Sequence, residues 1–237
     1  MAHLNLEAVD TDGAIREAAE EVAGDTRMSF LRRAGLAGGA VLGSGAILGA
    51  LAPSALAFSK GDRPPAKFGK GDIGILNYAL TLEYLESSFY NEATANQRRH
   101  AFIPNTEPRT HVFLKAVTAD ENAHVAALKK VLGNKAIKKP KFDFHGDNAN
   151  YKRFLTASFT FENEGVHAYS GQAFNIKDPA VLAAALSIVT VEARHASVVG
   201  LIRNQSDFGI TPNGAFDKPY GASKVLKDVT GLNYIQA

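Results

Sequence analysis

The chain has 237 residues, a formal net charge of +2 and no cysteine. Disulfides, thiolate metal ligands and a built-in rubredoxin-like or iron–sulfur centre are thereby excluded. The length suits one domain of ordinary size with a real hydrophobic core.

Residues 1–57 read as an export leader rather than as part of that domain. A polar, rather acidic segment from Glu7 to Asp25 leads to Arg32 and Arg33, and then to an uncharged run rich in Ala, Gly and Leu from Ala34 to Ala57. The run closes with Ala55-Leu56-Ala57, the small-x-small pattern of a signal-peptidase site. Thr26-Arg27-Met28-Ser29-Phe30-Leu31-Arg32 resembles the twin-arginine pattern S/T-R-R-x-F-L-K, with Met28 standing where the second arginine belongs. The expected destination is the periplasm, the cell envelope or the extracellular space. An uncleaved anchor is the competing reading, because the run is long enough to span a bilayer. Its many glycines make it a weak span, and none is expected in the mature form.

Cleavage after Ala57 takes four basic and seven acidic side chains from totals of 26 and 24, which leaves a net charge near +5. Much of that excess lies in Lys129, Lys130, Lys135, Lys138, Lys139 and Lys141, with no interleaved aromatic residues. This pattern predicts a solvated loop and no nucleic-acid partner. Both methionines, Met1 and Met28, leave with the leader, so methionine haem ligation is excluded and few easily oxidised side chains remain.

Residues 58–70 contain Gly61, Pro64, Pro65 and Gly69 and read as a linker. Four stretches with a three-four apolar repeat follow, over 71–205, and no strand-length alternation accompanies them. The first runs from about Asp72 to Asn96. The second begins near Thr106, a plausible N-cap with Pro108 in the first turn, and stops at Gly133-Asn134. The third starts near Asp147 and ends before Lys177. The fourth opens at Asp178-Pro179 and fades near Gln205. The third and fourth are joined by a couple of residues and must be antiparallel neighbours. Between the second and third, Gly133 to Gly146 could reach ~45 Å when extended, more than the ~39 Å of a 26-residue helix. The expected fold is all-α, an antiparallel four-helix bundle with one long crossover between helices two and three. Residues 206–237, with Gly209, Pro212, Gly214, Pro219 and Gly221, read as an irregular tail.

The inward stripes hold the chemistry. Helix one reads Leu76, Ala79, Glu83, Glu86, Tyr90, and helix two reads Leu114, Val117, Glu121, His124, Leu128, Val131. Helix three gives Leu155, Phe159, Glu162, Val166, Tyr169, Ala173, and helix four gives Ala185, Val189, Glu192, His195, Val199, Ile202. Every stripe is apolar at both ends and acidic in the middle, the reverse of an ordinary bundle helix. Glu121-Asn-Ala-His124 and Glu192-Ala-Arg-His195 each put carboxylate and imidazole on one face. One such pair means little, because a lone buried histidine is usually a satisfied core residue. Two pairs plus inward glutamates on two further helices match the di-metal pattern of carboxylate bundles. Without cations, that many converging carboxylates would be prohibitively repulsive and desolvated. Carboxylate and imidazole ligands favour two divalent ions of iron or manganese. Glu164 and His167 fall off the stripe, with His167 the better candidate for contact behind the ligands. His100, His111 and His145 carry no pattern.

Leu76-Asn-Tyr-Ala-Leu-Thr-Leu-Glu-Tyr-Leu-Glu86, Ala119-Asp-Glu-Asn-Ala-His-Val125, Phe161-Glu-Asn-Glu-Gly-Val-His-Ala-Tyr169 and Val191-Glu-Ala-Arg-His195 resemble the ferritin-like domain proteins that include the desiccation-related proteins of plants and bacteria. The resemblance covers the four helices and leaves out the leader and tail. It implies a ferritin-like bundle with Glu83 or Glu86, Glu121, His124, Glu162, Glu192 and His195 as metal ligands. The seven-residue spacing from Glu83 to Tyr90 is similar to the Glu…Tyr arrangement in the first helix of ferritins. It favours Glu83, with Glu86 as an extra carboxylate. The expected activity is redox chemistry with dioxygen or peroxide, as a ferroxidase or peroxide scavenger in stress protection. Tyr90 and Tyr169 could then donate a hydrogen bond or an electron, structural packing being the blander account. The alternative is a non-enzymatic, metal-stabilised protective bundle of the envelope. An iron-storage cage is a weaker third reading, and the oligomeric state stays open.

Overall fold

Four long helices form where the three-four repeat places them: α1, Gly71–His100; α2, Pro108–Leu132; α3, Tyr151–Gln172; and α4, Pro179–Asn204. The computed structural model describes residues 62–204, 211, 214 and 217–236. The leader reading for residues 1–57 lies outside that set.

The helix ends differ from expectation for local reasons. α1 continues past Asn96, where Arg98 and Arg99 place cations at its carbonyl end, as the helix dipole favours. Thr106 does not cap α2; Glu107 stands at that position, without a side-chain bond, and Pro108 opens the helix. α3 begins after Asn150, whose side chain accepts from the Arg153 N–H at 3.1 Å. Residues Asp147–Ala149 ahead of it form a separate 3₁₀ turn. Asp178 accepts from the Ala180 N–H at 2.8 Å and starts α4, as an N-cap aspartate should.

The crossover between α2 and α3 runs along α1. Asn77, near the start of α1, donates to the Lys135 carbonyl and accepts from the Ile137 N–H, both at 3.0 Å. Asn96, near its end, donates to the Asn148 carbonyl at 3.2 Å, and Glu92 accepts from the Asn148 amide at 3.0 Å. The nineteen residues from Asn77 to Asn96 rise ~28 Å, so the connection traverses most of the bundle. α2 and α3 are therefore parallel, as a ferritin-like topology requires.

The tail is not irregular as expected. It carries a helix, α5, Ala222–Gly231, with Ala222, Val225 and Val229 buried. A stripe this short is masked in the sequence by the Gly and Pro residues before it. Residues Lys141–Phe142 (β1) of the crossover then pair antiparallel with Ile235–Gln236 (β2). The linker expected at 58–70 is also partly anchored. Phe68 is buried, and the Asp62 carbonyl accepts from the Gln172 side chain at 3.0 Å. The tail backbone passes so close to α3 that a Cβ on Gly171 would lie 1.7 Å from the Tyr220 carbonyl oxygen.

The apolar core falls into two clusters. One contains Phe89, Tyr90, Phe113, Phe154, Phe161 and Val199. The other contains Leu76, Ala79, Leu80, Leu128, Ala185 and Ile188, at the end where α1 and α4 begin. Between these residues, along all four helices, lies a buried layer of acids. α4 is long and apolar enough to cross a membrane, with 33% of its apolar window buried. Its inner face nevertheless supplies buried polar groups to that acid layer.

Candidate metal centre

Glu83, Glu121, Glu162 and Glu192 are each fully buried, and His124 and His195 nearly so. Their ligating atoms form two overlapping groups: Glu83, Glu121, His124 and Glu192; and Glu121, Glu162, Glu192 and His195. Within each group, one such atom per residue lies within 4.8 Å of every other. Glu121 and Glu192 belong to both. Both carboxylates are therefore within reach of a cation held by either group.

Contacts within the cluster point at a cation rather than at a hydrogen-bond network. His124 Nδ1 stands 3.1 Å from Glu121 Oε2, 3.1 Å from Glu192 Oε1 and 3.3 Å from Glu83 Oε2. His195 Nδ1 stands 3.1 Å from both Glu121 Oε1 and Glu162 Oε2. One imidazole nitrogen carries at most one proton, so it cannot serve three carboxylates. Glu83 Oε2, Glu121 Oε1 and both Glu192 oxygens are accordingly buried without a hydrogen-bond donor. Such orphaned acceptors are costly, and a cation at the convergence would satisfy them together. The residues present therefore fit metal ions held by oxygen and imidazole nitrogen.

The two helical hairpins supply matching sets, Glu83/Glu121/His124 from α1–α2 and Glu162/Glu192/His195 from α3–α4. The tyrosines match too. Tyr169 on α3 donates to Glu83 Oε1 of α1 at 2.5 Å, and Tyr90 on α1 donates to Glu162 Oε1 of α3. Each stands seven residues after its own helix's glutamate and reaches across to the other's. Each tyrosine thus occupies one carboxylate oxygen and leaves the second turned to the cluster. Burial, and next the adjacent carboxylate, raise both phenol pKa values well above the ordinary value, so both remain donors.

Three features break the symmetry. Glu86 is buried at 3% exposure yet belongs to neither ligating group. Its pKa is raised well above the usual range, by burial first and then by the charges of Glu192 and Glu121. The matching position on α3 is Gly165, where a Cβ would lie 2.8 Å from Glu192 Oε2. Gly165→Ala should therefore displace Glu192 and weaken metal binding by about ten- to hundredfold. Helix content should hold, since Ala is the better helix former. Competition against a chromophoric chelator, beside circular dichroism, checks both parts.

The third feature is Asp120, which the stripe does not select because it lies one residue off the inward face. Its Oδ2 is 3.0 Å from His195 Nε2, while the matching residue before Glu192 is Val191. A carboxylate acceptor holds the proton on Nε2 and leaves the Nδ1 lone pair for a cation. Asp120 is half-exposed, so Asp120→Asn should cost about tenfold in affinity, confined to the ion on the His195 side. Stepwise metal titration would show one weakened and one unchanged site. An acid directly before the Glu-x-x-His element was the available signal for it.

His167 does not stand behind the ligands as expected. Its ring packs on Tyr220 of the tail, with centroids 4.1 Å apart. Glu164 lies beside Asp228 and Lys224 of α5; burial, then Asp228, push its pKa up to about 7. Both residues belong to the contact between α3 and the tail.

A family model described as a ferritin-like domain matches residues 71–205, more than half of the chain. The chain belongs to the ferritin-like domain family. The matched range spans α1 to α4 and contains all six clustered residues, while α5 lies beyond it. No curated protein sequence matches this ferritin-like chain.

Proposed function

We propose that this chain is a di-metal carboxylate protein, carrying iron or manganese, that reacts with dioxygen or peroxide. The observation behind the proposal is the pair of four-residue groups sharing Glu121 and Glu192. Glu83 and His124 would hold one ion, Glu162 and His195 the other, with Glu121 and Glu192 common to both. Two such ions would supply two electrons to an O–O bond, returned by incoming ferrous ions in ferrous oxidation or by a second peroxide, itself oxidised to dioxygen, in peroxide disposal. The remaining chemistry belongs to the chain. Tyr169 and Tyr90 orient Glu83 and Glu162, Asp120 sets the His195 tautomer, and the apolar residues of the four helices exclude water. Glu86, buried on the same face of α1 as Glu83, is a further carboxyl group next to the shared carboxylates. The twin-arginine-like leader supports a site of action outside the cytoplasm, in protection of a stressed cell envelope.

Turnover of ferrous iron and of hydrogen peroxide by the metal-loaded chain tests the proposal, with Glu121→Gln as the control. Turnover lost in the variant supports it. A fully loaded protein inert in both assays would overturn it and make the ions structural.

A further inference from the structure

An apolar cavity of about 250 Å³ lies at the end of the bundle where α1 and α4 begin and α2 and α3 end. Its wall includes Ala79, Ala127, Ala168, Ala180, Ala184 and Ala185, whereas the far end of the core is filled by Phe89, Phe113, Phe154 and Phe161. Close-packed interiors hold few voids larger than a water molecule, so a hole walled by alanines is a feature of the sequence. The polar residues on its wall are Tyr78, Tyr169, Gln172 and Asp178. Tyr169 is bonded to Glu83, and Asp178 to the start of α4. Gln172 is bonded to the Asp62 carbonyl and to Asn175. Of these four, only the Tyr78 hydroxyl is therefore buried without a partner, too few for a water, which needs about two to four.

The floor of the cavity is the roof of the acid layer. Ala79, Leu128 and Ile188 line it, and each lies four residues, ~6 Å of rise, from Glu83, His124 or Glu192 on its own helix. Tyr169 both lines the cavity and touches Glu83. The mouth is between α2 and α4, where the lining residues Ala127, Val131, Ala180 and Ala184 are exposed.

We propose that this cavity binds an uncharged, unbranched aliphatic chain, inserted between α2 and α4 with its inner end against the Tyr169–Glu83 contact. A methylene takes roughly the volume of a water molecule, about 30 Å³, so the cavity holds a chain of roughly eight carbons. Its binding depends on the cavity alone. Its significance for chemistry rests on the di-metal reading, because the inner end of the chain then meets the metal centre.

The test is calorimetric titration of the full chain with n-alkanols from butanol to dodecanol, both metal-loaded and after chelator dialysis. Affinity should rise about fourfold per methylene and level off near octanol, with metal or without. Ala184→Phe at the lip should weaken octanol binding at least tenfold, while Leu186→Ser, on the exposed face of the same helix, leaves it unchanged. Ala127→Phe repeats the block from α2 if Ala184→Phe does not fold. No binding overturns the proposal, and so does a rise that continues unbroken through dodecanol. A loss in Leu186→Ser rather than Ala184→Phe would assign the binding to the surface. Heat of binding is read without turnover, so inactivity toward dioxygen and peroxide leaves this proposal standing. An active, metal-loaded protein that ignores alkanols would sink it alone.

Discussion

Replacing Glu121 and Glu192 together by alanine should take the chain from about two tightly bound ions to none. Both residues belong to both ligating groups, so their removal leaves Glu83 with His124 and Glu162 with His195, too few ligands for either ion. The stability change should be large with metal and close to zero without it. In the metal-free wild type, Glu121 Oε1 and both Glu192 oxygens are buried without donors, and neighbouring carboxylates raise the cost of charging them. Their deletion relieves that cost while leaving space behind, so the metal-free variant should melt close to the metal-free wild type. The loaded wild type gains stability by mass action, about 4 kcal/mol at a thousandfold excess over Kd, and the variant gains none. Elemental analysis per chain, with melting curves before and after chelation, reads both effects. A variant that still carries its ions would show that they bind elsewhere.

The acid layer was legible because helical period and chemistry coincide. Glu121, His124, Glu192 and His195 sit on three-four stripes that are otherwise apolar, and burial of a carboxylate stripe has few physical explanations. Periodicity could not separate Glu83 from Glu86, since residues three apart share a face. The separation is a tertiary fact: Tyr169 reaches Glu83 from α3, and Gly165 opens the space that Glu192 fills. The crossover was legible from length alone, yet its path depends on Asn77 and Asn96, whose partners lie more than fifty residues away. α5 and the burial of Phe68 were missed for the same reason. Short apolar stripes gain stability only from the surface they cover, and that surface is assembled from distant parts of the chain.

Metal affinity should climb steeply with pH, and the climb should be steeper on the acid side of about pH 7. Burial alone would lower the His195 pKa, but the Glu121 and Glu162 carboxylates beside its ring outweigh it and push the value up to about 11. His124 is raised in the same way, burial again opposing and Glu121, Glu192 and Glu83 prevailing. Burial, and next the charge of Glu83, push Glu121 up to about 7, and burial with the charge of Glu121 raises Glu192 well above the usual range. The metal-free cluster thus holds protons on both imidazoles and on part of its carboxylates at neutral pH. A cation needs the opposite state, with neutral imidazoles and ionised carboxylates, so loading must expel those protons. Each expelled proton makes the binding constant rise tenfold per pH unit while the free site remains protonated. The two imidazoles alone give roughly a hundredfold per pH unit for the pair of ions, and below about pH 7 Glu121 adds a further proton. Chelator competition across this range, with proton release followed by an indicator dye in weak buffer, measures slope and stoichiometry independently. An affinity flat with pH and no released protons would mean that the ions do not displace protons from these imidazoles and carboxylates, and the assignment of the cluster as the metal centre would fall.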